Sequence, residues 1–309
     1  MKIDLVYNGV PAFEISVEDK KSSGELLESY CENLLGFTPD VIFTHVTRPV
    51  ISKGLWRDLR VLEHLDAVFT QRGTRGVLFV LSSASGQRSK EDVVQMEEEY
   101  GWPVRHKSGA PDLVGPEEAL WRAIQDFNGS AEAIQVVFVN QFGWDRESCG
   151  TRMPDKMNFM DLRKGSDVEF GLSVYEPFGI ASVEPLSFGA LCAVSNVSGY
   201  CGFVDLSSNG KPAPNLIVGD YTSLPEKDMP LAELKKIGLR ERNQIEDLRS
   251  ADVAQGILDH LPRSDDERSR LIRKGYELAD RMSWDRVCSD LFLPGLSRTV
   301  GQESESKRL

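Results

Sequence analysis

Short apolar runs recur along the chain, separated by longer stretches in which apolar residues return every three or four positions. Apolar runs bounded by polar or glycine-containing segments predict buried β-strands. Such runs occupy residues 41–46, 77–81, 134–139, 168–172, 191–197 and 215–218. A further strand is predicted at 3–7, and residues 102–104 are predicted to form a short edge segment.

The stretches between these runs have the period of amphipathic helices. Residues 54–71 give the clearest case, with Leu55, Leu59, Leu62 and Leu65 spaced near 3.6 residues per turn. Further helices are predicted at 22–35 (with a capping box of Ser22 and Glu25), 89–100, 116–127, 157–164, 231–236, 245–261 (interrupted near Gly256), 264–281 and from Ser283 onward. The alternation from about residue 41 to 220 predicts an α/β fold with a doubly wound, mainly parallel sheet and helices on both faces.

The stretch from 167 to 202 organises the rest of the chain. A strand at 168–172 leads through Ser173 into a turn at 175–179, a helix is predicted from Ile180 to about Phe188, and Gly189 ends it before the next strand. Parallel strands in such units bind ligands at their carboxyl ends, beside a helix N-terminus. Glu176 and Glu184 are eight residues apart, which places the first on the loop and the second on the helix.

Composition limits the classes of partner. The net charge of −12 argues against broad binding to nucleic acid or to anionic membranes. No apolar run is long enough to predict a transmembrane helix, and the N-terminus does not have the pattern of a signal peptide. Five scattered cysteines without a CxxC pair indicate reduced thiols, so a cytoplasmic location is expected. The four scattered histidines suggest no metal site.

The segment EPFGIASVE, residues 176–184, resembles the donor-binding motif of retaining glycosyltransferases with the GT-B fold. That group includes the family 4 sugar transferases and the glycogen synthases, and its motif is a Glu, seven residues and a second Glu, with Phe-Gly just after the first. The resemblance implies that Glu176 faces the transferred sugar as a catalytic residue and that Glu184 accepts hydrogen bonds from the ribose hydroxyls. The donor-binding residues implied by the resemblance are Ser173, Phe178, Gly179, Ile180, Glu184 and Gly199.

The loop after the strand at 41–46 resembles the diphosphate-binding loop of the same family. Arg48 and the pair Lys53-Gly54 match the family pattern, although Thr47 and Pro49 replace its usual Gly and Leu. The resemblance implies that Arg48 and Lys53 stabilise the leaving nucleoside diphosphate as catalytic cations, without a metal or other cofactor. Two solvated surface cations are the alternative interpretation. His45 is predicted to be a packed residue at the strand end rather than a catalyst.

The resemblance also implies a domain organisation. The segment NGVP at 8–11 resembles the crossover between the acceptor and donor domains, with Pro where the family has Asp. We therefore expect a crossover segment at 1–11, a nucleotide-sugar donor-binding domain with a Rossmann-like fold at 12–299, and a disordered polar tail at 300–309. This is one half of a GT-B fold, so an acceptor domain is expected as a partner, in cis or in trans.

The function implied is that of the donor-binding half of a retaining glycosyltransferase, inactive or weak without its acceptor domain. It would move a sugar from a nucleoside-diphosphate sugar to a hydroxyl acceptor. Two alternatives stay open. A non-catalytic module that binds a nucleotide sugar or a protein partner would need the same residues, and an epimerase or phosphorylase could share the fold, although no feature requires the pyridoxal phosphate of phosphorylases. The sequence does not specify the sugar, the base, the acceptor or the oligomeric state.

Overall fold

The computed structural model describes residues 5–224 and 229–306, with side chains described as far as residue 299. Its centre is a six-stranded sheet in the order β3-β2-β1-β4-β5-β6, in which every neighbouring pair is parallel. The strands are β1 (Val41–Val46), β2 (Gly76–Leu81), β3 (Ile134–Val139), β4 (Val168–Gly171), β5 (Leu191–Ser195) and β6 (Leu216–Gly219). The predicted doubly wound, Rossmann-like fold is confirmed, since this is the strand order of dinucleotide-binding folds.

Helices cover both faces of the sheet. In chain order the α-helices are α1 (Val17–Leu35), α2 (Leu55–Arg72), α3 (Lys90–Tyr100), α4 (Pro116–Ser130), α5 (Arg146–Cys149), α6 (Phe159–Gly165), α7 (Gly199–Ser208), α8 (Leu231–Leu234), α9 (Leu239–His260), α10 (Asp265–Arg281), α11 (Trp284–Arg286) and α12 (Leu293–Ser306). Two 3₁₀-helical segments, Ile51–Lys53 and Ala181–Phe188, follow β1 and β4. A π-helical segment, Val287–Phe292, joins α11 to α12.

The core divides into layers on the two faces of the sheet, as the alternation of strand side chains requires. Phe43 of β1 contributes to a buried cluster with residues of α2, α4 and α9. The neighbouring Ile42 points the other way and belongs to a second cluster, with residues of α1, α3 and α6. A third cluster joins β5 to the segment Ala181–Phe188, α7 and α10.

The strand order reverses between β1 and β4. The chain winds outward in one direction from β1 through β2 and β3, and in the other direction from β4 through β5 and β6. The pairing of β1 with β4 is short, with Phe43 opposite Val168 and Thr44 opposite Glu169. Beyond these pairs β1 and β4 separate, so a crevice opens at the carboxyl ends of the two strands. Ligands bind at this position in open α/β sheets.

The helix predicted after the central turn has a different geometry. Residues 181–188 form a 3₁₀-helix rather than an α-helix, and Pro185 lies inside it. Proline has no N–H to donate, and in an α-helix its ring clashes with the carbonyl group four residues earlier, here that of Ala181. Gly189 ends the helix with φ +77°, as predicted.

Other boundaries differ from the predictions. Helix α1 begins at the capping box of Ser16 and Asp19, six residues before the predicted one. Residues 102–104 form a turn, residues 5–7 are irregular, and residues 3–4 lie outside the described part. Helix α9 runs without interruption through Gly256, and α12 extends to Ser306, into the predicted tail, of which residues 307–309 lie outside the described part.

Within residues 5–224 and 229–306, no helix combines the length and the apolar composition needed to cross a bilayer.

The contact between α10 and the 3₁₀-helix depends on Gly275. A Cβ atom there would lie 1.8 Å from the carbonyl oxygen of Leu186, which is backbone and cannot swing aside. We expect Gly275→Ala to lower the free energy of unfolding by about 1–3 kcal/mol through overpacking. Gly24→Ala is the matched control because nothing lies within 4 Å of its Cβ position in α1; we expect a gain of about 0.5–1 kcal/mol there. Urea denaturation measures both, and equal effects would contradict this packing.

Candidate functional site

A cavity of about 330 Å³ occupies the crevice at the strand ends. The end of β1 contributes His45, Val46 and Thr47, and the segment after β4 contributes most of the remaining wall. Six of the nine residues predicted for the site line it: Lys53, Ser173, Glu176, Phe178, Gly179 and Ile180. The size is at the lower end of the range for small-molecule sites.

The loop after β1 and the loop after β4 are fastened together by their backbones. The carbonyl oxygen of Ser52 accepts hydrogen bonds from the N–H groups of Val174 and Tyr175, at 2.8 and 3.3 Å. This contact brings the ammonium group of Lys53 onto the carboxylate of Glu176, and the two form an ion pair. Their side chains are 19% and 11% exposed, so this is a partly buried pair at the cavity wall.

A glycine and an arginine hold this junction in place. Gly54 has φ +65°, and a Cβ atom there would lie 2.4 Å from the carbonyl oxygen of Leu172, so the two loops can meet only with glycine. The buried Arg57 donates to the carbonyl oxygens of Leu172 and Ser173, at 3.2 and 3.0 Å, and to Glu246 at 2.8 Å. Sequence reasoning missed Arg57, because nothing local marks one arginine of an amphipathic helix as buried.

The turn that carries Glu176 is shaped by two glycines. Gly179 has φ +95°, and a Cβ atom there would lie 2.8 Å from Cγ of Glu176. Gly199 approaches from α7: its N–H donates to the Glu176 carbonyl oxygen at 3.1 Å, and its Cβ would lie 1.9 Å from the Pro177 oxygen. Gly199 was predicted in a loop as a donor-binding residue; it instead begins α7 and does not line the described cavity, so its observed contacts shape the turn.

Glu184 lies on the helix, as predicted, but not in the described wall of the cavity. Its carboxylate is 3.5 Å from Nη2 of Arg163, whose Nη1 donates to the buried Glu169 at 2.9 Å. Burial raises the pKa of Glu169, although Arg163 opposes the shift. The side chain of Glu184 remains 31% exposed, so it is held at one edge and open at the other.

Arg48 does not converge with Lys53 as predicted. It is exposed, lies outside the described lining of the cavity, and forms no ion pair with any residue that the structure describes. The pattern at this loop departs from the family at Thr47 and Pro49, on either side of Arg48, and this is where the two cations separate.

His45 lines the cavity and is bonded to Asp58 of α2, with 2.5 Å between Nδ1 and Oδ2. Sequence reasoning predicted a packed strand-end residue, and its burial agrees with that, since 2% of it is exposed. Its place in the cavity wall was missed, because its partner is 13 positions away on another element. Among the described residues no group of His, Cys, Asp and Glu side chains is arranged to hold a metal ion.

A larger groove of about 790 Å³ lies beside the edge strand β6. Cationic side chains of Lys211, Arg270, Lys274 and Arg281 contribute to its walls. None of the predicted site residues lines it. We place the candidate site at the strand ends, because there, among the residues that the structure describes, most of the predicted site residues, the strand-order reversal and a buried ionisable pair coincide.

No protein-family model matches the chain, and no curated protein matches it. Solved structures match its fold. The N-terminal domain of trehalose-6-phosphate phosphatase from Candida albicans aligns with a TM-score of 0.53 at 13% identity, over 94% of this chain and 49% of that one. The α,α-trehalose 6-phosphate synthase from Burkholderia multivorans also aligns at 0.53, with 11% identity, over 95% and 49%. The UDP-forming α,α-trehalose-phosphate synthase from Burkholderia vietnamiensis aligns at 0.53, with 12% identity, over 96% and 52%.

These alignments establish the fold: the chain has the architecture of one Rossmann-like half of a GT-B protein. The chain spans about half the length of the solved structures that it matches.

Proposed function

We propose that the chain binds the donor in a retaining glycosyltransferase, and that it moves a sugar from a nucleoside-diphosphate sugar to a hydroxyl acceptor. The observation that carries the proposal is the meeting of Lys53 and Glu176 in a crevice at the strand-order reversal. The motif that predicted their roles and the geometry that joins them are independent of each other. Two of the similar structures are named as enzymes that make a sugar phosphate, one of them UDP-forming, which supports a nucleotide sugar as the donor class.

In the proposed reaction, charged side chains contact the donor at two places, its diphosphate and its sugar. A leaving nucleoside diphosphate gains negative charge in the transition state, and a nearby ammonium group stabilises it. In our proposal the pair of Lys53 and Glu176 opens on donor binding, with Lys53 turning to a phosphate and Glu176 to a sugar hydroxyl. The exposed guanidinium of Arg48, on the same loop, adds a second cation from the outer side. No metal is required for this scheme.

We propose the remaining donor contacts from the motif. Ser173, Phe178, Gly179 and Ile180 form the wall around Glu176, and Glu184 receives the ribose hydroxyls at the open edge of its carboxylate. The acceptor hydroxyl would come from a second domain, in cis or in trans, facing the same crevice. The similar structures are about twice as long as the aligned region, which leaves room in them for such a domain.

The first test is nucleotide binding. We expect UDP, ADP or GDP to raise the thermal midpoint of the chain, to the same extent with and without EDTA, because the cations are side chains. Lys53→Ala should reduce the shift, whereas Lys235→Ala, an exposed lysine on the segment after α8, should leave it unchanged. Stabilisation that disappears with EDTA would contradict the metal-free site, and no stabilisation by any of the three would contradict donor binding.

The second test separates the two carboxylates. Loss of a charge-assisted hydrogen bond to ribose should make Glu184→Ala bind free nucleotide about 10- to 100-fold more weakly. Glu176→Ala should change the affinity for free nucleotide little and that for the sugar ester more. Calorimetry with the free nucleotide and with its sugar ester measures both, and Glu233→Ala, an exposed residue of α8, is the control. Equal losses for free nucleotide in both variants would show that the two roles are assigned wrongly.

A non-catalytic nucleotide-sugar module is the second candidate. Two observations favour it: Lys53 is already neutralised by Glu176, and Arg48 stands outside the described cavity wall. Turnover of labelled nucleotide sugars distinguishes the two functions.

We expect the 309-residue chain to bind donor and transfer almost no sugar alone, because positioning two reactants contributes about 7–11 kcal/mol to a catalysed barrier. Adding a chain that carries an acceptor domain should restore transfer. Transfer by the chain alone at about 1 per second or faster would contradict the need for a second domain. Binding without turnover in any combination would favour the module.

A further inference from the structure

His45 and Asp58 form a buried hydrogen-bonded pair that opens on the cavity. His45 is at the end of β1 and Asp58 is on α2, and they are 2% and 1% exposed. Their Nδ1 and Oδ2 atoms are 2.5 Å apart. The other carboxylate oxygen of Asp58, Oδ1, is buried and has no partner among the described residues. A buried carboxylate with so few donors needs a positive neighbour, because an uncompensated buried charge is strongly destabilising.

The second ring nitrogen of His45 is left for a ligand. Nδ1 is occupied by Asp58, and Nε2 has no hydrogen-bond partner within the described part of the chain. The residue is nevertheless part of the cavity wall, together with Lys53. A carboxylate that accepts from Nδ1–H fixes the orientation of the ring and therefore of Nε2, as second-shell carboxylates do for ligand-binding histidines. Nε2 itself carries a hydrogen to donate when the ring is protonated.

The charges around the ring favour its protonated form. Burial by itself lowers the pKa of His45, but Asp58 and then Glu169 of β4 outweigh burial, and the pKa is raised despite the opposing charge of Lys53. Glu176 faces the same cavity from the loop after β4. A protonated ring has no lone pair at Nε2, so it can donate to an anion but cannot act as a base.

We propose that His45, held by Asp58, binds a phosphate oxygen of the ligand through Nε2 and acts with Lys53 as a two-point anion site at the end of β1. The ligand class is a diphosphate, either that of a nucleoside diphosphate or free inorganic pyrophosphate. As a donor contact this rests on the proposed function. The anion site itself depends only on the geometry of the cavity.

The sign of the pH dependence follows from the charge of the ring. The contact is complete below the pKa of His45 and is lost as the pH rises through it, because the neutral ring holds an anion less strongly. The terminal phosphate of UDP itself titrates near pH 6, by analogy with phosphoserine, so each affinity is compared with a variant at the same pH.

The experiment measures the affinity for UDP and for pyrophosphate between pH 5.5 and 9 in the whole chain, without metal. The variant His45→Asn keeps a donor near the position of Nδ1 for Asp58 and removes Nε2. We expect it to bind UDP about 10- to 100-fold more weakly at low pH, with the difference shrinking as the pH rises. Asp58→Asn should keep the ring but move the pH of the affinity loss downward. His64 lies on the same helix as Asp58 and forms an exposed pair with Asp247 of α9, so His64→Asn should match the parent.

A second measurement does not depend on the variants folding. With ¹³C-labelled histidine, the chain has four ring signals, and the one that shifts its titration upward when pyrophosphate or UDP is added should be that of His45. Circular dichroism confirms that each variant is folded.

Each outcome decides a separate statement. If the parent binds UDP and His45→Asn loses the same fraction of affinity at every pH, or loses none, the anion site is overturned. The proposed function then still stands. Binding of pyrophosphate that depends on His45, without binding of any nucleotide, overturns the donor function and supports the anion site. Binding of neither ligand overturns both.

Discussion

The carbonyl group of Ser52 joins the loops that follow the two central strands, at the point where the strand order reverses. It receives the N–H groups of Val174 and Tyr175, and this backbone contact sets the distance between the loop after β1 and the loop after β4. Gly54 permits the approach, and Arg57 satisfies the two carbonyl oxygens left at the end of β4. Without this junction Lys53 and Glu176 would belong to two unrelated loops.

Buried charge is arranged on both sides of that junction. On the α2 side, His45 is bonded to Asp58. On the α6 side, the carboxylate of Glu169 accepts from Thr44, from the N–H of Val46 and from Arg163. A buried carboxylate is costly unless neighbouring groups compensate its charge, so these contacts restrict the conformations open to the strand ends. The strand ends that form the crevice are therefore held by contacts within the protein itself.

Much of the fold could be predicted from the sequence, because buried parallel strands are continuous apolar runs and their recognition needs no tertiary information. The turn at Glu176 could be predicted because Pro177 and Gly179 follow an apolar run, whereas the roles of its residues were implied by the family resemblance. Contacts between distant elements could not be predicted from the sequence, since no pattern in it links Arg57 to Glu246 or His45 to Asp58. The predicted start of α1 was wrong because two capping signals compete. Ser22 with Glu25 fits the usual capping-box pattern, but the structure uses Ser16 with Asp19.

The 3₁₀ geometry of residues 181–188 fixes the direction in which Glu184 points. With three residues per turn, Ala181 and Glu184 stand one above the other, so one guanidinium, that of Arg163, can contact the carbonyl oxygen of the first and the carboxylate of the second. An α-helix of 3.6 residues per turn would rotate Glu184 by about 60° relative to Ala181. By excluding the α-helical geometry, Pro185 therefore keeps the carboxylate of Glu184 directed at the guanidinium of Arg163, which lies on another helix.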